Sequence, residues 1–343
     1  MNNSEKNILS VFIDWCYINL SIINKKRMLY EVKGIESAAF GEEDFTDNFI
    51  CYCLRNLDER LNDIFLKSPL LLYQLRKSIT LAKNNFNIIP QIKTEINIPK
   101  EENENIADHY DRNISILLKK TDYEKSCDEF FKKIVLLIKQ ILKNSGTSEI
   151  EIDDIVIIGQ NSSSAKIKSI LLDIFKNNKK INKISLLSDS TLIDKEIDKD
   201  SLISIGCILQ LMNNYKLLKL NYIFADISTF SFGIENLDGL MDVIIPKGTK
   251  LPCKSKKLIK LGNNNENIFI NILEGEHVCS ENNKNIANAI IKKSEFKATR
   301  GMDYFEVIVE LEIDCDYNLK CYIIDPKSKN KFECIIKINV VKN

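Results

Sequence analysis

The spacing of apolar and polar residues changes several times along the chain, and each change predicts an element. Ile8–Ile35 alternates apolar and polar positions and is rich in β-branched residues, predicting two or three antiparallel strands. Glu43–Phe65 and Pro69–Phe86 carry helical periodicity. They are separated at Lys67-Ser68-Pro69, where proline restricts the residue before it. Ile88–Ile98 holds short apolar pieces around two prolines and suits an extended segment, and the polar stretch Lys100–Asp111 is expected to be exposed. The clearest helix spans Asp122–Lys143. Thr121 and Glu124 match a capping box, Cys127, Phe130, Phe131, Ile134, Leu137, Ile138 and Ile141 form one apolar face, and Gly146 stands where a left-handed cap is needed. Asp154–Gly159 (DIVIIG) reads as a strand buried on both faces. A helix over Ala165–Phe175, a strand over Lys183–Leu187 and a helix over Asp200–Met212 follow, so the first part is α/β.

From about Asn221 helical spacing stops. Short alternating runs take over at Tyr222–Ile234, Leu240–Ile245, Leu258–Lys260, Ile268–Leu273, Phe305–Ile313, Leu319–Ile324 and Phe332–Val341, divided by turns such as Leu237-Asp238-Gly239 and Pro246-Lys247-Gly248. This predicts an all-β sandwich. The expected division is residues 1–215, a connecting segment 216–225, and residues 226–343.

Composition narrows the function classes. Lys+Arg and Asp+Glu both number 48 in 343 residues, so no net field draws nucleic acid or an anionic membrane, and neither is expected as a partner. The basic runs Lys176–Lys183 and Lys254–Lys260 read as solvated loops or strand edges kept from pairing. Ten cysteines are scattered, and the close pair Cys51 and Cys53 lacks the spacing and neighbours of a zinc site. Reduced thiols in an intracellular protein are expected. The N-terminus does not read as a secretory signal, and no uncharged apolar run has transmembrane length, so a cytoplasmic location is expected.

Specific blocks then carry a resemblance. Asp226–Lys254 (DISTFSFGIENLDGLMDVIIPKGTKLPCK) resembles D-V-x-P-L-S-L-G-I-E-T-x-G-G-x-M-x-x-L-I-x-x-N-x-x-I-P-x-K of the heat shock protein 70 family. Ile272–Glu276 resembles that family's V-x-Q-G-E, and Glu306–Pro326 its strand–turn–strand block. Earlier, Phe40–Phe45 (FGEEDF) resembles L-G-G-E-D-F, and Leu75–Asn87 resembles L-R-x-A-C-E-x-A-K-x-x-L-S. Asp154–Lys166 resembles D-x-V-L-V-G-G-S-T-R-I-P-K, and Asp200–Gly206 resembles D-E-A-V-A-x-G. The resemblance implies the C-terminal half of an actin-like ATPase fold followed by a peptide-binding β-sandwich, with no helical lid.

It also implies sites. The nucleotide-binding remnant would be Asp14, Lys83, Gly159 and Asp200. The family's D-L-G-G-G-T-F-D is replaced by Asp14-Trp15-Cys16-Tyr17-Ile18-Asn19, which has lost every glycine that lets backbone amides approach phosphate. Its adenine-stacking arginines are Asn84 and Ser163 here. Asp14 reads equally as a charge at a strand end, Lys83 as a solvated helix lysine, and Asp200 as a helix cap. No cofactor is expected, with ATP and Mg²⁺ only if the family activity survives.

The peptide-binding positions would be Phe232, Ile234, Leu237, Ile259, Ile268 and Ile270, with core packing an equal reading for Ile234 and Ile270. The implied function is a stress-response chaperone binding unfolded or extended polypeptides without its own ATP cycle. The alternatives are an ATP-dependent chaperone whose front half lies elsewhere, and a non-catalytic scaffold or co-chaperone engaging co-chaperones or the ribosome. Isolated residues 1–215 would expose one side of their sheet and are expected to self-associate or to be poorly soluble.

Overall fold

The computed structural model describes residues 5–98, 113–159, 164–181, 184–186, 201–217, 222–262, 267–292, 304–334 and 337–338. The chain forms two compact units, residues 1–30 with 34–222, and residues 31–33 with 223–343.

In the first unit, the alternating N-terminal region forms three strands, β1 (Lys6–Ile13), β2 (Ile18–Lys26) and β3 (Leu29–Ala38). Two later strands, β6 (Ile152–Gly159) and β7 (Ile184–Leu186), extend the sheet, which runs β7-β6-β1-β2-β3. β1 pairs antiparallel with β2 and parallel with β6. Strand periodicity sends Leu9, Val11, Leu20, Ile22, Ile155 and Ile157 into the core, while Ser10, Ser21 and Val156 stay half-buried on the other face, so Asp154–Gly159, expected to be buried on both faces, is fully buried on one only, a difference that an uninterrupted apolar run does not reveal.

The helices depart from the predicted boundaries in two places. The span Glu43–Phe65 is two helices, α1 (Glu42–Arg55) and α2 (Glu59–Lys67). Asp58 restarts the chain, its carboxylate accepting the Leu61 N–H at 2.9 Å. Ser68 caps α3 (Pro69–Asn85), with proline in the first turn as expected. The span Asp122–Lys143 is likewise α4 (Lys120–Ser126) and α5 (Asp128–Ser145), bent at Cys127. The Thr121–Glu124 capping box does not form, because a strand, β5 (Asn113–Lys119), runs directly into α4 and places Thr121 inside the helix. β5 pairs with β4 (Gln91–Asn97); its alternation is hidden in the sequence by Leu117, an exposed leucine between the buried Ile116 and Leu118. Gly146 adopts φ +65°, and Thr147 N–H closes on Leu142 O at 3.0 Å, the left-handed cap that the spacing predicted. α6 (Ala165–Ile174) and α7 (Ser201–Asn214) complete the unit. Lys100–Asp111 lies outside the described residues.

The second unit is built of β8 (Ile223–Ala225), β9 (Phe232–Glu235), β10 (Met241–Ile245), β11 (Cys253–Gly262), β12 (Asn267–Glu274), β13 (Lys284–Lys292), β14 (Tyr304–Ile313), β15 (Leu319–Ile324), β16 (Lys331–Cys334) and β17 (Lys337–Ile338). Two sheets form, β10-β9-β12-β13-β17 and β11-β14-β15-β16, and both send side chains into one apolar core. β13 has no counterpart among the predicted runs, because its inward positions are Ala287 and Ala289, which carry little strand signal. The basic run Lys254–Lys260 lies in β11, which pairs only with β14 among the described strands. There Lys257 reaches Asp242 at 3.0 Å and Lys254 reaches Glu310 at 3.1 Å.

Candidate functional site

The candidate nucleotide face is built where β1 ends. Asp14 N–H donates to Tyr17 O at 2.9 Å and closes a tight turn into β2. Gly41 packs against that turn; a Cβ there would lie 2.7 Å from Cys16 N and overlap Asp14 O. This contact lets Glu42 N–H and Glu43 N–H, the first amides of α1, each donate at 2.9 Å to Asp14 O and Trp15 O. Amides that a helix N-terminus offers to an anion are therefore engaged by the chain itself. Trp15 is 52% exposed on the turn. Burial, and then the hydrogen bond and charge of Asp14, push the Tyr17 phenol above its usual value.

Lys83 corrects the sequence reading. Its side chain is only 3% exposed, and the ammonium donates to the Glu42 carboxylate and, at 2.6 Å, to Thr46 Oγ1. It also sits 5.9 Å from the centroid of the Tyr123 ring. Glu42 and Thr46 are one turn apart on α1 and so face α3 together. A second rung lies two turns earlier on α3, where Arg76 pairs with Glu43 and Asp47. The signal for this was present in the sequence as acidic residues at 42, 43 and 47 and cations at 76 and 83, but only packing of α1 on α3 brings them together.

Beside Lys83, a small depression opens between α3, α4 and α6. Glu124 stands between Lys120 and Lys166, 3.9 Å from each. Asn87 Oδ1 crosses to accept Ala165 N–H at 3.1 Å, tying the end of α3 to the start of α6. Gly159 adopts φ +100°, and a Cβ there would overlap Ile13 O, so this glycine lets β6 close against the end of β1. Asn84 is exposed on α3. Asp200 and Ser163 lie outside the described residues. So Asp14, Gly41, Glu42 and Lys83 come together around the start of α1. Gly159 joins Ile13, immediately before Asp14.

In the second unit, Phe232, Ile234, Ile259 and Ile270 are buried in the core between the two sheets. The Ile268 side chain lies outside the described residues. Leu237 differs: it is 53% exposed in the turn from β9 to β10. Asn236 Oδ1 holds this turn by accepting the N–H groups of Asp238 at 2.9 Å and Leu240 at 3.0 Å, and Gly239 supplies the φ of +71°. Sequence reasoning missed Phe269 and Ile290, an exposed cross-strand pair on β12 and β13. It also missed the polar link in which Glu235 accepts from Asn271 Nδ2 at 2.7 Å and Ser280 Oγ at 3.0 Å. Alternation places these side chains away from the core, but periodicity cannot tell a solvent face from a binding face. Among the described residues no cluster of His, Cys, Asp or Glu could hold a metal ion, and no helix is long and apolar enough to cross a membrane.

Comparison with known proteins adds ancestry to this geometry. Residues 1–337 match the family model described as Hsp70 protein. The chain is similar to a heat shock cognate 70 kDa protein 3 from Dictyostelium discoideum, 23% identical over 303 residues, covering 87% of this chain and 44% of that protein. It is also similar to a heat shock protein 70 homolog from Acanthamoeba polyphaga mimivirus, 27% identical over 195 residues, covering 56% of this chain and 20% of that protein. The chain thus spans less than half the length of these relatives. A match that runs through both units, over an α/β part and a two-sheet part, establishes that this chain belongs to the heat shock protein 70 family.

Proposed function

We propose that this chain is a chaperone-like protein that binds extended apolar segments of polypeptide through its second unit, without a nucleotide cycle of its own. The observation that carries the reading is the β9–β10 hairpin. It keeps the family-like FGIENLDG segment, presents Leu237 to solvent from a turn pinned by Asn236, and anchors that turn through Phe232 and Ile234 in the core. Main-chain pairing with an extended peptide supplies affinity in such a surface, and a few apolar positions select the side chains. We read the two sheets as a β-sandwich serving this purpose in a reducing, cytoplasmic setting.

Silence toward nucleotide is supported by the first unit. The groups that would meet phosphate or ribose are already engaged: Glu42 and Glu43 amides with the Asp14–Trp15 carbonyls, and Lys83 with Glu42 and Thr46. Trp15, Cys16 and Tyr17 stand where a phosphate loop needs residues without a Cβ. These residues do not fit ATP and Mg²⁺.

Fluorescence anisotropy of the full chain with labelled apolar heptapeptides tests both parts. Saturable binding is expected, weakened about tenfold by Leu237→Asp and unchanged by Mg·ATP. Absence of saturable binding removes the peptide reading. Peptide release by Mg·ATP removes the claim of nucleotide silence and favours an ATP-driven chaperone.

A further inference from the structure

β15 and β16 form a hairpin whose register sets Cys321 of β15 directly opposite Cys334 of β16. Cys321 carries a thiol buried in the core of the second unit. Phe332 packs against that core, and position 334 falls on the same face of β16 by strand alternation. The register also sets the spacing. At the turn, Asp325 N–H donates to Asn330 O at 3.0 Å, so 325 and 330 are a hydrogen-bonded pair. Hydrogen-bonded and non-hydrogen-bonded pairs alternate along the ladder, so 323 with 332 and 321 with 334 are hydrogen-bonded pairs as well. Such pairs hold their Cα atoms about 5.5 Å apart, and disulfides span Cα separations of about 4.4–6.8 Å. Cys51 and Cys53 offer a contrast: two apart on α1, one exposed and one buried, they point to different sides of the helix.

We propose that Cys321 and Cys334 are a reversible thiol–disulfide site, closed by a small-molecule disulfide such as oxidised glutathione. One thiolate of the pair attacks a sulfur of the oxidant, forming a mixed disulfide and releasing one glutathione thiol. The second thiolate then displaces the other glutathione. The two cysteines give up two protons and two electrons, and two glutathione thiols are the reduced products. Two features make the bond labile rather than a permanent staple. Cβ atoms of directly opposed residues lie about 4.5–5.5 Å apart, at the wider end in hydrogen-bonded pairs, whereas a relaxed disulfide needs about 3.5–4.5 Å. The strands must therefore shift to close the bond, and a bond closed under strain is more readily reduced. β16 can make that shift: it has four residues and stands at the end of its sheet, beside β15 alone among the described strands. Local opening of so short an outer strand also gives the oxidant its way to the buried Cys321.

Peptide mapping of the full chain, oxidised under native conditions, tests the proposal. The chain is equilibrated with oxidised glutathione, remaining thiols are blocked with iodoacetamide, and trypsin releases Cys321–Lys327 and Phe332–Lys337 as separate peptides. The oxidised chain should yield these two peptides joined, two hydrogens lighter than their sum, and dithiothreitol should part them. Excess reduced glutathione added before blocking should reopen the bond. The joined species should be absent from Cys334→Ala and should persist in Cys315→Ala, which removes the exposed cysteine nearest in sequence to Cys321. The wild-type chain alone can sink the idea. No joined peptide in oxidised glutathione, one that forms only in urea, or one that excess reduced glutathione leaves intact overturns the proposal. So does a map in which Cys321 or Cys334 is joined to Cys315 instead.

Discussion

Replacing Lys83 by methionine separates the reading of the sequence from the packing of the fold. A lysine near the end of a helix is ordinarily solvated, and losing an exposed ion pair costs about 0–1 kcal/mol. Here the lysine and Glu42 side chains are 3% and 10% exposed, and Thr46 Oγ1 lies 2.6 Å from the ammonium. Lys83→Met leaves the Glu42 carboxylate desolvated without its cation, which costs about 3–5 kcal/mol. Urea unfolding followed through Trp15, the single tryptophan, reads the first unit directly. Combining Lys83→Met with Glu42→Leu replaces the pair by apolar volume and should recover most of the loss, so the double-mutant cycle yields a coupling of several kcal/mol. A cost below about 1 kcal/mol for Lys83→Met, with no coupling to Glu42, would refute the buried pair.

Other outcomes follow from the same geometry. Gly159→Ala should destabilise by about 2–4 kcal/mol because it forces a Cβ onto Ile13 O at φ +100°. Gly239→Ala, at φ +71° with nothing within 4 Å, should cost only about 1 kcal/mol; equal thermal shifts would contradict the close-approach argument. Burial pushes the Cys53 thiol up to about 12 and the Cys127 thiol up to about 11, so iodoacetamide at neutral pH should label the exposed Cys16 and Cys315 and spare those two, as read by peptide mass spectrometry. Burial tends to raise the Glu310 carboxyl, but hydrogen bonds and charge from Lys331 and Lys254 outweigh it and hold the group below its usual value. A depressed carboxylate stabilises above its unfolded pKa, and that stabilisation disappears as pH falls through the folded one. The second unit should therefore lose stability below the ordinary carboxylate range, and Glu310→Gln should flatten that acid limb in pH-dependent melts.

Much of this architecture was legible in order. The N-terminal strands, the parallel strand DIVIIG and the Gly146 cap follow from local periodicity and turn chemistry, which act over a few residues and survive translation into structure. Elements were missed where packing, not pattern, sets the state. β5 hides behind the exposed Leu117, β13 faces the core with alanines, and the helix break at Cys127 carries no proline or glycine. The candidate sites were less legible. Phe232, Ile234, Ile259 and Ile270 share an apolar pattern with Leu237, yet they lie in the core while Leu237 stands in solvent.

The sequence by itself determined ancestry and the order of α/β and all-β parts, because those are properties of residue identity and spacing. Only the tertiary structure decided what the retained residues do. Lys83, matched to a ligand contact and legible as a surface lysine, is a buried partner of Glu42 and Thr46. Residues 41 positions apart meet only when α1 packs on α3, and a charge's energy depends on what surrounds it and not on its place in the chain.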